Sequence, residues 1–137
     1  MQTSADGLSF IMEQEGLTLT VIPDVNKHAI GYGHNLLPGE SYPNGITEDQ
    51  ANALLLQDVS KVDAFMTKQH LALDLNQNQW DALSSFTYNC GRGALIQLLA
   101  HGVDQVPVQL MRWTHSLGQV LPGLVARRAA EVELWNS

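Results

Sequence analysis

Residues 15–34 read EGLTLTVIPDVNKHAIGYGH, and the fold is read outward from this run. Leu17, Leu19 and Val21 alternate with Thr18, Thr20 and Ile22, mostly the two-residue period of a strand. Pro23 and Asp24 end it, and a second strand is expected over His28 to Tyr32, where Gly31 and Gly33 remove side chains. One carboxylate, Glu15, stands before the first strand and another, Asp24, after it. A strand between them carries the chain across a groove, so the two acids can face each other without touching. That arrangement suits cleavage of a glycosidic bond, where one acid protonates the leaving oxygen and the other acts across the sugar.

The segment before this run reads as a short helix over Ser4 to Gln14, with Ser4 as N-cap and Gly16 just past its end. Gly7 weakens it, so packing must support it. Glu15 then faces the negative end of the helix dipole, with Ile11, Met12 and Leu17 expected around it. Both influences disfavour a charged carboxylate, and a retained proton is what a general acid needs. Asp24, at a turn, is expected to be hydrated and ionised. Taken alone, a Glu and an Asp at this spacing more often mean two solvated surface charges, so the rest of the chain has to decide.

Downstream the pattern becomes helical. Thr47 and Gln50 form a capping box, and Ala51, Leu54, Leu55, Asp58, Val59 and Val62 repeat at helical spacing to about Met66. Asn35 to Gly45, with two prolines and two glycines, has loop composition. Asn76 and Gln79 form a looser cap before Trp80, Leu83, Ser84 and Thr87 on one stripe. Leu95, Ile96, Leu98 and Leu99 suggest a short, mostly buried helix, and Pro107 suits the first turn of another. Trp113 is either core or a wall of the groove, and Leu117 to Gly123 reads as a loop. A last helix over Gly123 to Trp135 puts Leu124, Val125, Val132 and Trp135 on one face. Arg128 falls in the middle of that face and Arg127 to its side; a buried arginine needs a carboxylate partner.

Several segments, in order, resemble the phage-type lysozymes, the endolysin family of glycoside hydrolases. They are Glu15-Gly16-Leu17, Asp24, Ile30 to His34, Gly45-Ile46-Thr47, Gln57-Asp58-Val59, Leu75 to Leu83, Ser85-Phe86, Asn89-Cys90-Gly91, Arg112-Trp113, Gly123 to Arg128 and Glu131. The resemblance implies an α+β, mainly helical, lysozyme-like fold. It would have a small antiparallel β-sheet lobe, a long connecting helix and a C-terminal helical lobe, with residues 1–137 as a single catalytic domain. It implies hydrolysis of peptidoglycan between N-acetylmuramic acid and N-acetylglucosamine, with inversion and without cofactor or metal. Carried over by position, Glu15 is the catalytic acid, Asp24 the second carboxylate and Arg128 the partner of Glu15. Tyr32 and Gly33 border the substrate. Asn89 matches an amide near the cleft, able to bond Glu15 or an N-acetyl group. His34 and Asp58 form a structural pair that raises the histidine pKa and lowers that of the aspartate.

One departure stands out. The family usually has a threonine before its Ile-Gly segment to help hold the attacking water, and here that residue is Ala29, in a turn one residue shorter. Either Asp24 and backbone suffice, or His28 substitutes, or activity is weakened. Besides the active muramidase, two readings therefore stay open: a catalytically impaired wall-binding homologue, and a muramidase or transglycosylase retuned through His28. His28 is equally readable as an exposed turn residue.

Composition bounds the rest. The 137 residues, 45% hydrophobic and 15% charged, suit one globular domain with one substantial core. No apolar run reaches membrane-spanning length, and no signal peptide is visible. The expectation is synthesis in a host cytoplasm and action on the bacterial cell wall. A net charge of −7 argues against nucleic acid and would repel an anionic wall. The single cysteine, Cys90, allows no internal disulfide and reads as a small core residue. The expected partner is the peptidoglycan glycan strand, and the expected state a monomer.

Overall fold

Ser4 opens the first helix, α1 (Ala5–Glu15): its hydroxyl accepts the Gly7 N–H. Gly16 closes α1 at φ 71°, and its N–H caps the Met12 carbonyl at 2.9 Å, which leaves Glu15 as the last helical residue. Gly7, unfavourable in a helix, is required by packing, because a Cβ there would lie 2.5 Å from Asp81 Cγ. The computed structural model describes residues 1–23, 28–71 and 74–137. The expected second carboxylate, Asp24, therefore lies outside the described residues.

Three short strands follow as an antiparallel sheet in the order β1 (Thr18–Pro23), β2 (His28–Gly31) and β3 (His34–Asn35). The first pair is in register at Thr18↔Gly31 and at Pro23↔His28, with a bulge between Thr18 and Ile22. Leu17 and Leu19 alternate as expected but face solvent, both about two-fifths exposed. The sheet lobe buries instead Ile30, Tyr32 and Ile46 against Ile11 of α1 and Ala51, Leu55 and Val59 of the next helix.

That helix, α2 (Glu48–Lys68), starts at the Thr47–Gln50 capping box with both reciprocal bonds in place. It leads to a helical lobe built from α3 (Gln77–Cys90), α4 (Arg92–Leu99), α5 (Val106–Leu110) and α6 (Pro122–Asn136). Here Asn76 and Gln79 form a full capping box. Every residue from Trp80 to Thr87 is buried, so α3 is the axis of the lobe and not a helix with a single apolar stripe. Leu95 and Leu98 are buried as expected, whereas Ile96 is exposed. A small hairpin, β4 (His115–Ser116) with β5 (Gln119–Val120), occupies part of the stretch expected to be loop. The described residues thus form an α+β, mainly helical fold with a small antiparallel sheet, as the resemblance implied. No described helix is long and apolar enough to cross a membrane.

Polar ties hold the lobes together. Asp63 of α2 accepts the Thr3 backbone N–H, the Thr3 hydroxyl and the Trp80 indole N–H. Buried His34 joins β3 to α2, with Nδ1 2.6 Å from Asp58 Oδ2 and Nε2 2.8 Å from Glu40 Oε1. Burial opposes its charge, but the hydrogen bonds to Asp58 and Glu40 and the fields of both carboxylates outweigh it, so its pKa is raised. The Leu37 N–H and then His34 hold Glu40 below the usual carboxylate range. A raised histidine pKa stabilises the fold fully below the unfolded value of about 6.5, and that contribution fades as pH rises through the folded value. Asp58→Asn should therefore cost about 1.5–3 kcal/mol near pH 6. In thermal melts the gap from the unaltered protein should narrow as pH is raised; a gap independent of pH would contradict the clamp.

Candidate active site

Glu15 projects from the C-terminal end of α1 into the junction of the two lobes, where its side chain keeps 16% exposure. Its Oε2 accepts from Arg127 Nη1 at 2.5 Å. Its Oε1 faces Gly33, where a Cβ would fall 2.6 Å from that oxygen. Gly33 also has φ 81°, a conformation that disfavours side chains. The glycine expected to let substrate approach thus first makes room for the acid. Leu17, expected to shield Glu15, is exposed instead.

The arginine assignment is corrected. Arg127, not Arg128, reaches Glu15. Both are buried, and both surround Glu131, which is fully buried one turn further along α6. Arg128 Nε lies 2.9 Å and Arg127 Nε 3.5 Å from Glu131 oxygens. The Arg128 contact is an ion pair whose N–H misses the oxygen, so neither atom gains a directional hydrogen bond from it. Ser85 donates to the other Glu131 oxygen at 2.5 Å. Burial pushes the Glu131 carboxyl up, against the pull of Arg128, Ser85 and Arg127. The remaining Arg128 nitrogens bond Asn89 Oδ1 at 2.5 Å and Cys90 Sγ at 2.8 Å, while the guanidinium lies 5.1 Å over the Phe86 ring. Arg128 stays on the buried face of α6, but its carboxylate partner is on its own helix.

The other expected site residues divide. Asn89 is exposed at the end of α3 and bonds Arg128; among the described residues it has no bond to Glu15. Tyr32 lies in the core of the sheet lobe: it is 8% exposed, and its carbonyl accepts from Tyr88 at 2.6 Å. Burial, then the fields of Asp58 and Glu15, raises the Tyr88 pKa, which keeps its hydroxyl a donor. His28 is exposed at the start of β2, and its side chain has no hydrogen bond among the described residues. Half-buried Ala29 pairs with Asn35 of β3. Cys90 is half-buried, and burial pushes its thiol up despite Arg128. Trp113 packs edge-on against Phe86 with centroids 5.6 Å apart, on the core of the helical lobe, and it also lines an open cavity with Gln109 and Arg112 that includes no residue of the Glu15 site. Among the described residues no cluster of three or more potential metal ligands occurs.

Sequence reading missed Tyr88 and Glu40, and gave no role to Ser85 and Glu131 although both carry the resemblance. Glu131 had a signal, since it follows Arg128 by three residues and Arg127 by four, the spacings at which helical charges meet. Glu40 had none, because its loop has no period.

A small sheet lobe and a helical lobe, with an arginine-bound glutamate at the end of the first helix between them, define the lysozyme-like class of fold. Residues 12–131 match the Phage lysozyme family model, and the chain belongs to that family. It is 38% identical to an endolysin of Bacillus phage PZA, over 100% of this chain and 56% of that protein. It is 34% identical to an endolysin of Lactococcus phage c2, over 99% of this chain and 61% of that protein. The chain thus spans little more than half the length of these relatives. An endolysin of Acyrthosiphon pisum secondary endosymbiont phage 1 is 33% identical over 100% of this chain and 99% of its own. Among solved structures, the muramidase domain of SpmX from Asticaccaulis excentricus superposes with a TM-score of 0.80 at 29% identity, covering 99% of this chain and 98% of that one. An endolysin from Escherichia coli O157:H7 phage FAHEc1 gives 0.76 at 30% identity, covering 98% and 93%.

Removing Arg128 leaves Glu131 buried beside one remaining cation at 3.5 Å. Arg128→Met should cost about 3–5 kcal/mol of stability. Arg127→Met should cost less, because water can reach Glu15, but should lower activity more per unit of stability lost. Denaturant titrations and turnover on the same two variants check this, and equal ratios would contradict it.

Proposed function

We propose that this chain hydrolyses peptidoglycan at the β-1,4 bond between N-acetylmuramic acid and N-acetylglucosamine, with residues 1–137 as one catalytic unit acting on the bacterial cell wall. The observation that carries the reading is Glu15, held at the lobe junction by Arg127 and given space by Gly33 in a chain of the phage lysozyme family. The endolysin and muramidase relatives support the substrate class. We propose action as a monomer, without a metal or organic cofactor.

In this reading Glu15 gives its proton to the glycosidic oxygen as the bond to the anomeric carbon breaks. A water adds to that carbon from the opposite face and gives up a proton to Asp24. The product is inverted, which implies carboxyl groups about 6.5–9.5 Å apart. Arg127 orients Glu15 and balances its charge after the proton has left. Half-buried Ala29 offers a methyl group where a hydroxyl would assist the water, and this favours a slow enzyme as the second reading.

Purified peptidoglycan incubated with the protein should yield new reducing ends of inverted anomeric form. Glu15→Gln should lower their rate of release by about 10²–10⁴-fold, and Ala29→Thr should raise it. No reducing ends from the unaltered protein would leave a wall-binding homologue, and a retained anomer would point to His28.

A further inference from the structure

We propose that the cavity between α2 and the start of α4 binds a carboxylate of the stem peptide carried by the glycan strand, with Lys61 and Arg92 as the recognising cations. This rests on the muramidase reading. The cavity has a volume of about 260 Å³ and is lined by Gly33, Asn35, Lys61, Tyr88, Gly91 and Arg92, among others. At about 30 Å³ per water it has room for roughly nine waters, enough for the end of an amino-acid side chain.

Charge makes the cavity unusual in this molecule. The chain has 7 cationic side chains against 14 acidic ones, yet two of those cations meet here from separate helices. Both are exposed, and neither has an ion pair among the described residues. The Arg92 guanidinium lies 5.2 Å over the Phe65 ring, which restricts where it points. Asp58 is the one carboxylate lining the cavity, and it is engaged by His34 at 2.6 Å. The first turn of α4 has no capping side chain, so its N–H groups add to the positive character of this wall.

Position links the cavity to the reaction. Gly33 lines it and also abuts Glu15 Oε1. The stem peptide hangs from the muramic acid unit, next to the bond that the proposed reaction breaks. A strand seated with that bond at Glu15 therefore brings a peptide carboxylate close to the two cations.

The test compares peptide-bearing glycan strands with strands stripped of their peptides by an amidase. The protein is used with Lys61 and Arg92 both replaced by Gln. KM on peptide-bearing strands should rise about tenfold with kcat unchanged, about 1.4 kcal/mol of binding. On stripped strands neither constant should move. An equal rise on both substrates, or none on peptide-bearing strands, would overturn the proposal. A second measurement avoids turnover: calorimetric binding of a soluble peptide-bearing muropeptide to Glu15→Gln should be lost when both cations are replaced, and unchanged binding would overturn the assignment. Cleavage of stripped strands by the unaltered protein reports on the muramidase reading separately.

Discussion

The structure depends on a row of alternating charge running from α1 into α6: Glu15, Arg127, Glu131 and Arg128. Two carboxylates and two guanidiniums balance if all are ionised. Only Glu15 retains appreciable contact with solvent, while Arg128 and Glu131 have none. Taking such charges from water costs several kcal/mol each, which their mutual attraction must offset. The row is anchored by Ser85 of α3 and by Asn89 and Cys90 at its end, so all three helices meet through it. It fixes the acid at the lobe junction and the last helix on the core at once.

Local chemistry at helix starts was legible in the sequence because it acts over three residues. Ser4, Thr47 and Asn76 all cap as their neighbours demand. The His34–Asp58 pair came through family resemblance, and the geometry bears it out. Glu40, the second partner of that histidine, was not legible, because a loop contact across six residues leaves no periodic trace.

The arginine error has a physical cause. A helical wheel ranks side chains by the direction of Cβ, which sorts apolar residues well. Arginine is long enough to leave that direction, and a carboxylate on the same helix decides where it goes. Arg128 sits on the apolar face as read, but Glu131 captures it; Arg127, set to the side, is the one that reaches across to α1. Tyr32, which the resemblance sets beside the substrate, has its ring in the core of the sheet lobe. The apolar alternation of β1 predicted a strand correctly but not which face would be covered, since Leu17 and Leu19 face outward.

Gly33 leaves the site no slack around its acid. Anything larger there would push the Glu15 carboxyl aside before any ligand arrived, while Arg127 on the other side is itself held by Ser85 and Glu131. Drift in this protein's sequence should accordingly spare both the empty space and the cation opposite it.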